Sequence, residues 1–165
     1  MELDWKHIIH LYQEPIYWHI RRMVVCHEDA RDLLQEVFLQ AFNSAGQLRD
    51  RKAVKAWLYK IATNKCLRYL EKLSEDIPLD EVPATMMGRL FDSDYVDLEN
   101  AAGLRFQQAL QTLSPQQKAV FTLRYYDDLN YDEISQITGW KVDVLKASYH
   151  QAKKKVKTFL LQEHI

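Results

Sequence analysis

Apolar positions along this chain recur at three- and four-residue intervals, the signature of amphipathic helices. From Glu28 to Ser44 the set Ala30, Leu33, Leu34, Val37, Phe38, Ala41 and Phe42 forms one continuous stripe. The spacing predicts a helix there, with Gly46 just beyond it as the C-terminal stop. A preceding helix is expected over His7 to Val25, carrying Ile8, Ile9, Leu11, Tyr12, Ile16, Tyr17 and Ile20, with a break near Pro15. A third runs from about Lys52 to Leu73. Periodicity then lapses over residues 74–104, which hold Pro78, Pro83 and Gly88 and read as a linker with at most one helical turn. Helices resume over Leu104–Leu113 and over 115–126, where Ser114 is an N-cap and Pro115 takes the first helical position. A polar turn, Asp127-Asp128-Leu129-Asn130, leads to two last helices, Asp132–Thr138 and Asp143 to about Gln162. The fold class is therefore all-α: two small helical lobes, 1–73 and 105–165, joined by the linker 74–104.

Charge sharpens that division. The net charge is −1, but residues 1–73 carry +3, residues 74–104 carry −7 and residues 105–165 carry +3. Two mildly basic lobes flank an acidic strap, so near-neutrality does not exclude a nucleic-acid partner. Only four glycines and four prolines among 165 residues favour helices over a turn-rich β architecture. Cys26 and Cys66 are too few for a disulfide framework or a closed zinc site. His7 and His10 stand three apart but lack a third ligand. No Gly-rich phosphate loop or nucleophile elbow is present, so neither enzyme, cofactor nor small-molecule substrate is expected. No apolar run reaches the roughly 18 residues of a membrane span, and MELDWKHIIH does not read as a signal peptide. A reducing cytoplasm is the expected setting, without direct membrane insertion.

The C-terminal stretch DEISQITGWKVDVLKASYHQAKKK has the outline of a helix-turn-helix, with glycine at the turn and lysines closing the second helix. Projected at 100° per residue, the last helix buries Val142, Leu145, Tyr149, Ala152, Val156, Phe159 and Leu160. It turns Asp143, Lys146, Ala147, His150, Gln151, Lys154 and Lys157 outward. A DNA-reading helix and a plain amphipathic helix with a solvated basic face both fit this pattern. In the first lobe, Lys60, Asn64 and Arg68 stand at i, i+4, i+8 beside Trp57, downstream of the basic loop 46–52. Cations grip phosphates and aromatic faces stack bases, so this suits a single strand; equally, Trp57 could belong to the core. On the helix 28–44, Leu39 stands among Asp32, Gln35 and Glu36, a polar face around one apolar residue.

Two runs carry a family resemblance. HEDARDLLQEVFLQAF followed by AWLYKIATNKCLRYL resembles region 2 of the extracytoplasmic-function sigma factors, the minimal branch of the bacterial sigma-70 family. The pattern there is approximately DAEDLVQEVF, then WLYRIARN. The second lobe, ALQTLSPQQKAVFTLRYYDDLNYDEISQITG, is similar to region 4. The resemblance implies that Asp32, Gln35, Glu36 and Leu39 dock on core RNA polymerase, at the clamp helices of its β′ subunit. It implies that Arg49, Arg51, Lys52, Trp57, Lys60, Asn64 and Arg68 hold the non-template strand of the −10 element, whose flipped base the loop captures. Lys146, Ala147, Ser148, His150, Gln151, Lys153 and Lys154 would serve the −35 element in the major groove. The β flap, promoter DNA and an anti-sigma factor complete the expected partners, and the acidic linker would thread the polymerase cleft.

One departure bears on readout. Relatives carry something like TVKSRLHRARKKL in the last helix, whereas VLKASYHQAK stands here, with Ser148 and Gln151 where arginines would be. Gln151 can pair with adenine and the Ala147 methyl can meet thymine, so an A/T-leaning −35 element is expected. Two other functions use the same features differently: a stand-alone helix-turn-helix regulator, or an interaction module that no longer binds DNA. The relative placement of the lobes is expected to depend on the partner.

Overall fold

A computed structural model describes residues 2–78, 81, 86 and 101–162, with backbone alone at 101 and 102. Seven α-helices span those residues: α1 Trp5–Val24, α2 His27–Asn43, α3 Val54–Asp76, α4 Ala101–Leu110, α5 Pro115–Tyr125, α6 Tyr131–Thr138 and α7 Val142–Leu161. Two short 3-10 turns, Ala45–Gln47 and Arg51–Ala53, connect α2 to α3. Helices α1 to α3 pack on one another as the first lobe, and α4 to α7 pack around α7 as the second.

Local chemistry sets most helix ends. Asp4 caps α1 by accepting from the His7 amide at 3.2 Å. Ser114 with Gln117, and Asn130 with Glu133, form reciprocal capping boxes at the starts of α5 and α6. The expected break at Pro15 does not occur. α1 runs through it, because Pro15 lies on the exposed side, where water can replace the hydrogen bond its ring removes. Gly46 is not the stop for α2 either: Ser44 is the C-cap and Gly46 sits within the first 3-10 turn. Phe42, placed on the buried stripe by its spacing, is 61% exposed, because the buried face of α2 centres on Ala30, Val37 and Ala41 and Phe42 lies about 100° round the helix from Ala41. Leu160 is likewise exposed, near the C-terminal end of α7.

The α1–α2 connection holds a tight turn that the sequence does not announce. Val25, a buried β-branched residue, has φ 67°, and the Cys26 amide donates to the Val24 carbonyl at 2.7 Å. This is a γ-turn in its strained form. Arg21 braces it: Nε donates to the Val25 carbonyl at 2.6 Å and a terminal nitrogen donates to Tyr17 Oη at 2.8 Å.

The lobes do not sit apart. α3 packs on α5 and α6, and α1 packs on α5. One buried cluster runs from Ile16, Ile20 and Leu58 in the first lobe to Val120, Leu123, Ile134 and Leu145 in the second. A second cluster, including Leu110, Phe121, Ala152 and Val156, lies wholly within the second lobe. The predicted linker is shorter than its composition suggests, since α3 continues through Glu75 and Asp76 and α4 begins at Ala101. Its other acids, Asp80, Asp92, Asp94, Asp97 and Glu99, lie outside the described residues, Glu81 excepted.

Candidate nucleic-acid interface

The helix-turn-helix consists of α6, Gly139 and α7. Gly139 adopts φ 78°, a left-handed conformation that L side chains resist, and its amide closes α6 onto the Ser135 carbonyl. Ser135 Oγ donates to the Trp140 carbonyl at 2.7 Å, and the Trp140 amide donates to Thr138 Oγ1 at 3.1 Å. Ile134 and Ile137 of α6 and Leu145 of α7 are buried in one shared core, which holds α7 in place.

Along α7, Lys146, Ala147, His150, Gln151, Lys153 and Lys154 are all exposed, so the predicted outward arc is outward. Ser148 departs from it: half-buried, with a hydroxyl turned inward that finds no hydrogen-bond partner among the described residues. Two of the lysines rest against tyrosine rings, Lys146 Nζ 5.9 Å from the Tyr131 centroid and Lys153 Nζ 5.2 Å from that of Tyr149. Arg124 stands over the other contact of that cluster, 5.2 Å from the Tyr131 centroid. Periodicity placed Tyr149 on the inward side of this helix, whereas Tyr131 was not singled out, since it sits one residue past a predicted polar turn and carried no periodic signal.

The first lobe presents a small cationic cavity. It is about 200 Å³ and lined by Gln40, Ser44, Gln47, Trp57, Lys60, Ile61, Asn64, Lys65 and Arg68. Four of the seven residues predicted for the −10 element thus meet at one place. Lys60, Asn64 and Arg68 are exposed around its mouth, while Trp57 is half-buried, one side on the core and the other in the cavity wall. The remaining three stand elsewhere. Arg49 is exposed in the loop, Arg51 donates to the Glu2 carbonyl at 2.6 Å, and Lys52 lines a separate cavity with Glu133 and Gln136 of α6. Sequence reasoning missed Gln40 and Ser44, although their position at the end of α2, against a helix carrying the basic stripe, was a usable signal; Gln47 lies in the loop 46–52 already singled out.

Asp32, Gln35, Glu36 and Leu39 are exposed along α2, and Leu39 is 63% exposed. Phe42 continues that row at i+3, with Trp5 edging it at 5.6 Å between ring centroids. An apolar row rimmed by Asp, Gln and Glu has the anatomy of a protein-docking patch. Among the described residues no three histidines, cysteines or carboxylates gather as a metal site, and no helix is long and apolar enough to cross a membrane.

A helix-turn-helix in one lobe is thus paired with a cationic, aromatic-walled cavity in the other, on a helical fold of the DNA-binding class. Residues 8–75 match Sigma-70 region 2, and residues 103–156 match Sigma-70, region 4. The chain is 26% identical to the RNA polymerase sigma factor SigV of Bacillus subtilis over 84% of its length and 80% of that protein's. It is 26% identical to the ECF RNA polymerase sigma factor SigW of the same organism, over 88% and 83%. With the RNA polymerase sigma-H factor of Pseudomonas aeruginosa it shares 28%, over 88% and 80%. Its fold also matches that of the sigma factor RpoE from Bartonella quintana, solved in complex with the anti-sigma factor NepR. That match has a TM-score of 0.75 at 18% identity, covering 98% of this chain and 99% of that one. The chain belongs to the extracytoplasmic-function branch of the sigma-70 family and functions as an RNA polymerase sigma factor.

Proposed function

We propose that three exposed surfaces divide the work of promoter selection. The row Asp32, Gln35, Glu36, Leu39, extended by Phe42, docks core polymerase. The cavity framed by Trp57, Lys60, Asn64 and Arg68 holds a flipped base and the backbone of the −10 strand, with Arg49, Arg51 and Lys52 as further phosphate contacts. The outward arc of α7 reads the −35 element through Lys146, Ala147, His150 and Gln151, while Lys153 and Lys154 grip phosphates. In this reading residues 1–73 and 105–165 act as separable units on either side of the acidic linker. The protein works in the cytoplasm without catalysis of its own, and an anti-sigma factor is its expected antagonist.

The observation that carries this reading is the cavity, which gathers a stacking surface, three exposed polar or cationic groups and amide-bearing walls in a space of about 200 Å³. Unstacking a base costs a few kcal/mol, and such a pocket offsets that cost once the duplex opens. A stand-alone regulator has no use for a base-sized pocket or for the α2 row. Run-off transcription with core polymerase on randomised promoters tests the proposal. Transcripts should arise from templates sharing a −10 motif and an A/T-leaning −35 motif. Absence of any core-dependent transcript, with the chain still binding DNA, would favour the stand-alone regulator instead.

A further inference from the structure

Lys118 carries a charge into the interior without an acid to meet it. It stands on α5, 3% exposed, and its ammonium donates to the Met23 carbonyl at 2.9 Å and to Gln111 Oε1 at 2.8 Å. Both acceptors are neutral, and among the described residues no carboxylate pairs with this lysine. An ammonium has three N–H donors, so one is left unspent. Gln111, itself 2% exposed, adds another: its Nε2 has no hydrogen-bond partner among the described residues. Because Nε2 shares a carbon with the oxygen that Lys118 holds, the two unspent donors are neighbours.

Both side chains line one cavity of about 510 Å³. Most of its remaining wall is apolar, from Leu67 and Leu70 of α3 to Met86, Leu113 and Pro115. Leu70, Met86 and Leu113 are buried and form its inner wall, whereas Glu71, Ser114 and Lys155 are exposed and mark its mouth. Small-molecule sites are commonly of this kind: about 300–1,000 Å³, walled by apolar side chains, with a few convergent polar groups.

The chemistry of the polar end selects the ligand. Burial strips the ammonium of water and lowers its pKa from 10.5 to about 7. Neutral oxygens solvate such a charge but do not balance it, and buried charges are ordinarily paired. A carboxylate supplies the missing countercharge and accepts from both unspent donors through charge-assisted hydrogen bonds. An uncharged lipid fits the walls and leaves the ammonium unbalanced. A small inorganic anion meets the ammonium and leaves the leucines and Met86 uncovered.

We propose that this cavity binds a small amphipathic monocarboxylate, its carboxylate held by Lys118 Nζ and Gln111 Nε2 and its hydrocarbon body lying along Leu70, Met86 and Leu113. The inference goes beyond the sigma-factor reading and does not depend on it. The site shares no residue with the three surfaces assigned to polymerase and promoter, so it gives the chain a separate small-molecule input.

Isothermal titration calorimetry of the full chain with sodium octanoate tests it, with 1-octanol and acetate as probes that keep only the body or only the charge. Octanoate should bind saturably, one per chain, and about tenfold tighter or more than either probe. At about 100 times its dissociation constant it should raise the thermal midpoint by about 5 °C or more. The Met86 methyl resonance should shift on saturation. Lys118→Met replaces the ammonium by an unbranched apolar side chain, and octanoate affinity should fall about tenfold or more, to that of octanol. Gln111→Glu gives Lys118 a carboxylate of the chain's own and should abolish octanoate binding, with helicity retained in circular dichroism. Absence of saturable octanoate binding, equal affinity for octanoate and octanol, a Met86 methyl that does not move, or unchanged affinity in both variants would each overturn the site. Should both variants unfold, the three probes and the Met86 resonance of the wild type decide the matter by themselves. Failure of run-off transcription with these binding results intact would sink the sigma-factor reading and leave the site standing.

Discussion

At Gln151 the question of promoter choice comes down to one exposed amide. A glutamine can give and take a hydrogen bond at the N6/N7 edge of adenine, and no arginine stands beside it on α7 to prefer guanine. Gln151→Ala should therefore cost about 1–3 kcal/mol at one base pair of the −35 element, whereas Lys154→Ala should weaken binding to every sequence evenly. Binding of the chain to a library of −35 duplexes separates the two; equal losses on all duplexes for both would remove Gln151 as a reader. Ser148 belongs to the same run but turns its hydroxyl inward, so its substitution should leave that profile unchanged. A different kind of residue is Arg21, whose planar head braces the strained turn at Val25. Arg21→Lys keeps the charge and loses the fork, so stability should fall by about 1.5–3 kcal/mol in urea denaturation. The outward arc of α7 was readable from periodicity alone. Arg21 was not, because a strained backbone turn leaves no trace in hydrophobic spacing.

At the scale of elements, α2 shows how one helix serves two masters. Ala30, Val37 and Ala41 are buried against α1 and α3, while Asp32, Gln35, Glu36 and Leu39 face out. Phe42 tests the division, since its spacing assigns it to the core and the structure exposes it. Phe42→Asp should weaken association with core polymerase about tenfold or more, as expected for an aromatic anchor at an interface. It should leave the thermal midpoint nearly unchanged, because little of that ring is covered. A large drop in the midpoint with unchanged association would return Phe42 to the core. Helix order and type were legible among the described residues, because stripes three to four residues apart and the capping signal at Ser114 are local properties; the cap at Asn130 came only with the structure. The end of α2 and the continuity of α1 through Pro15 depended on what neighbouring helices cover, which spacing does not encode. The first-lobe cavity was legible by half: the stripe on α3 and the loop holding Gln47 announced themselves, while Gln40 and Ser44 joined them through the α2–α3 packing.

At the scale of the whole molecule, the lobe contact escaped the sequence because its residues read as ordinary. Asp127 looks like part of a solvated turn and Lys118 like one more surface lysine. Only packing makes Asp127 a buried carboxyl raised to about 6 and Lys118 an ammonium lowered to about 7, both chiefly through desolvation. Those shifts give the packing of the two lobes on each other a pH dependence whose sign can be worked out. His19, lowered to about 3 by burial and by Arg22, takes up a proton on opening, so closure gains as pH rises from 3 to 6.5. Asp127, raised from 3.8 to about 6 by burial against the opposing pull of Tyr59, Arg22 and Lys55, acts in the reverse sense over 3.8 to 6. The two largely cancel in acid. Above pH 7 they are silent, and burial holds Cys66 and Tyr59 protonated, so Cys66, with an ordinary value of 9.0, enters only weakly near the top of the range and Tyr59 above it. Between pH 7 and 9 Lys118 dominates. Its closed form binds fewer protons than its open form, so closure should strengthen with rising pH by at most about 3 kcal/mol over the two units. Scattering across that range should show any open fraction of the wild type shrinking, while Lys118→Met shows a flat profile. A wild type that opens as pH rises from 7 to 9, or a Lys118→Met variant that keeps the wild-type slope, would show that the proton is taken up elsewhere and that Lys118 is not the residue on which this dependence turns.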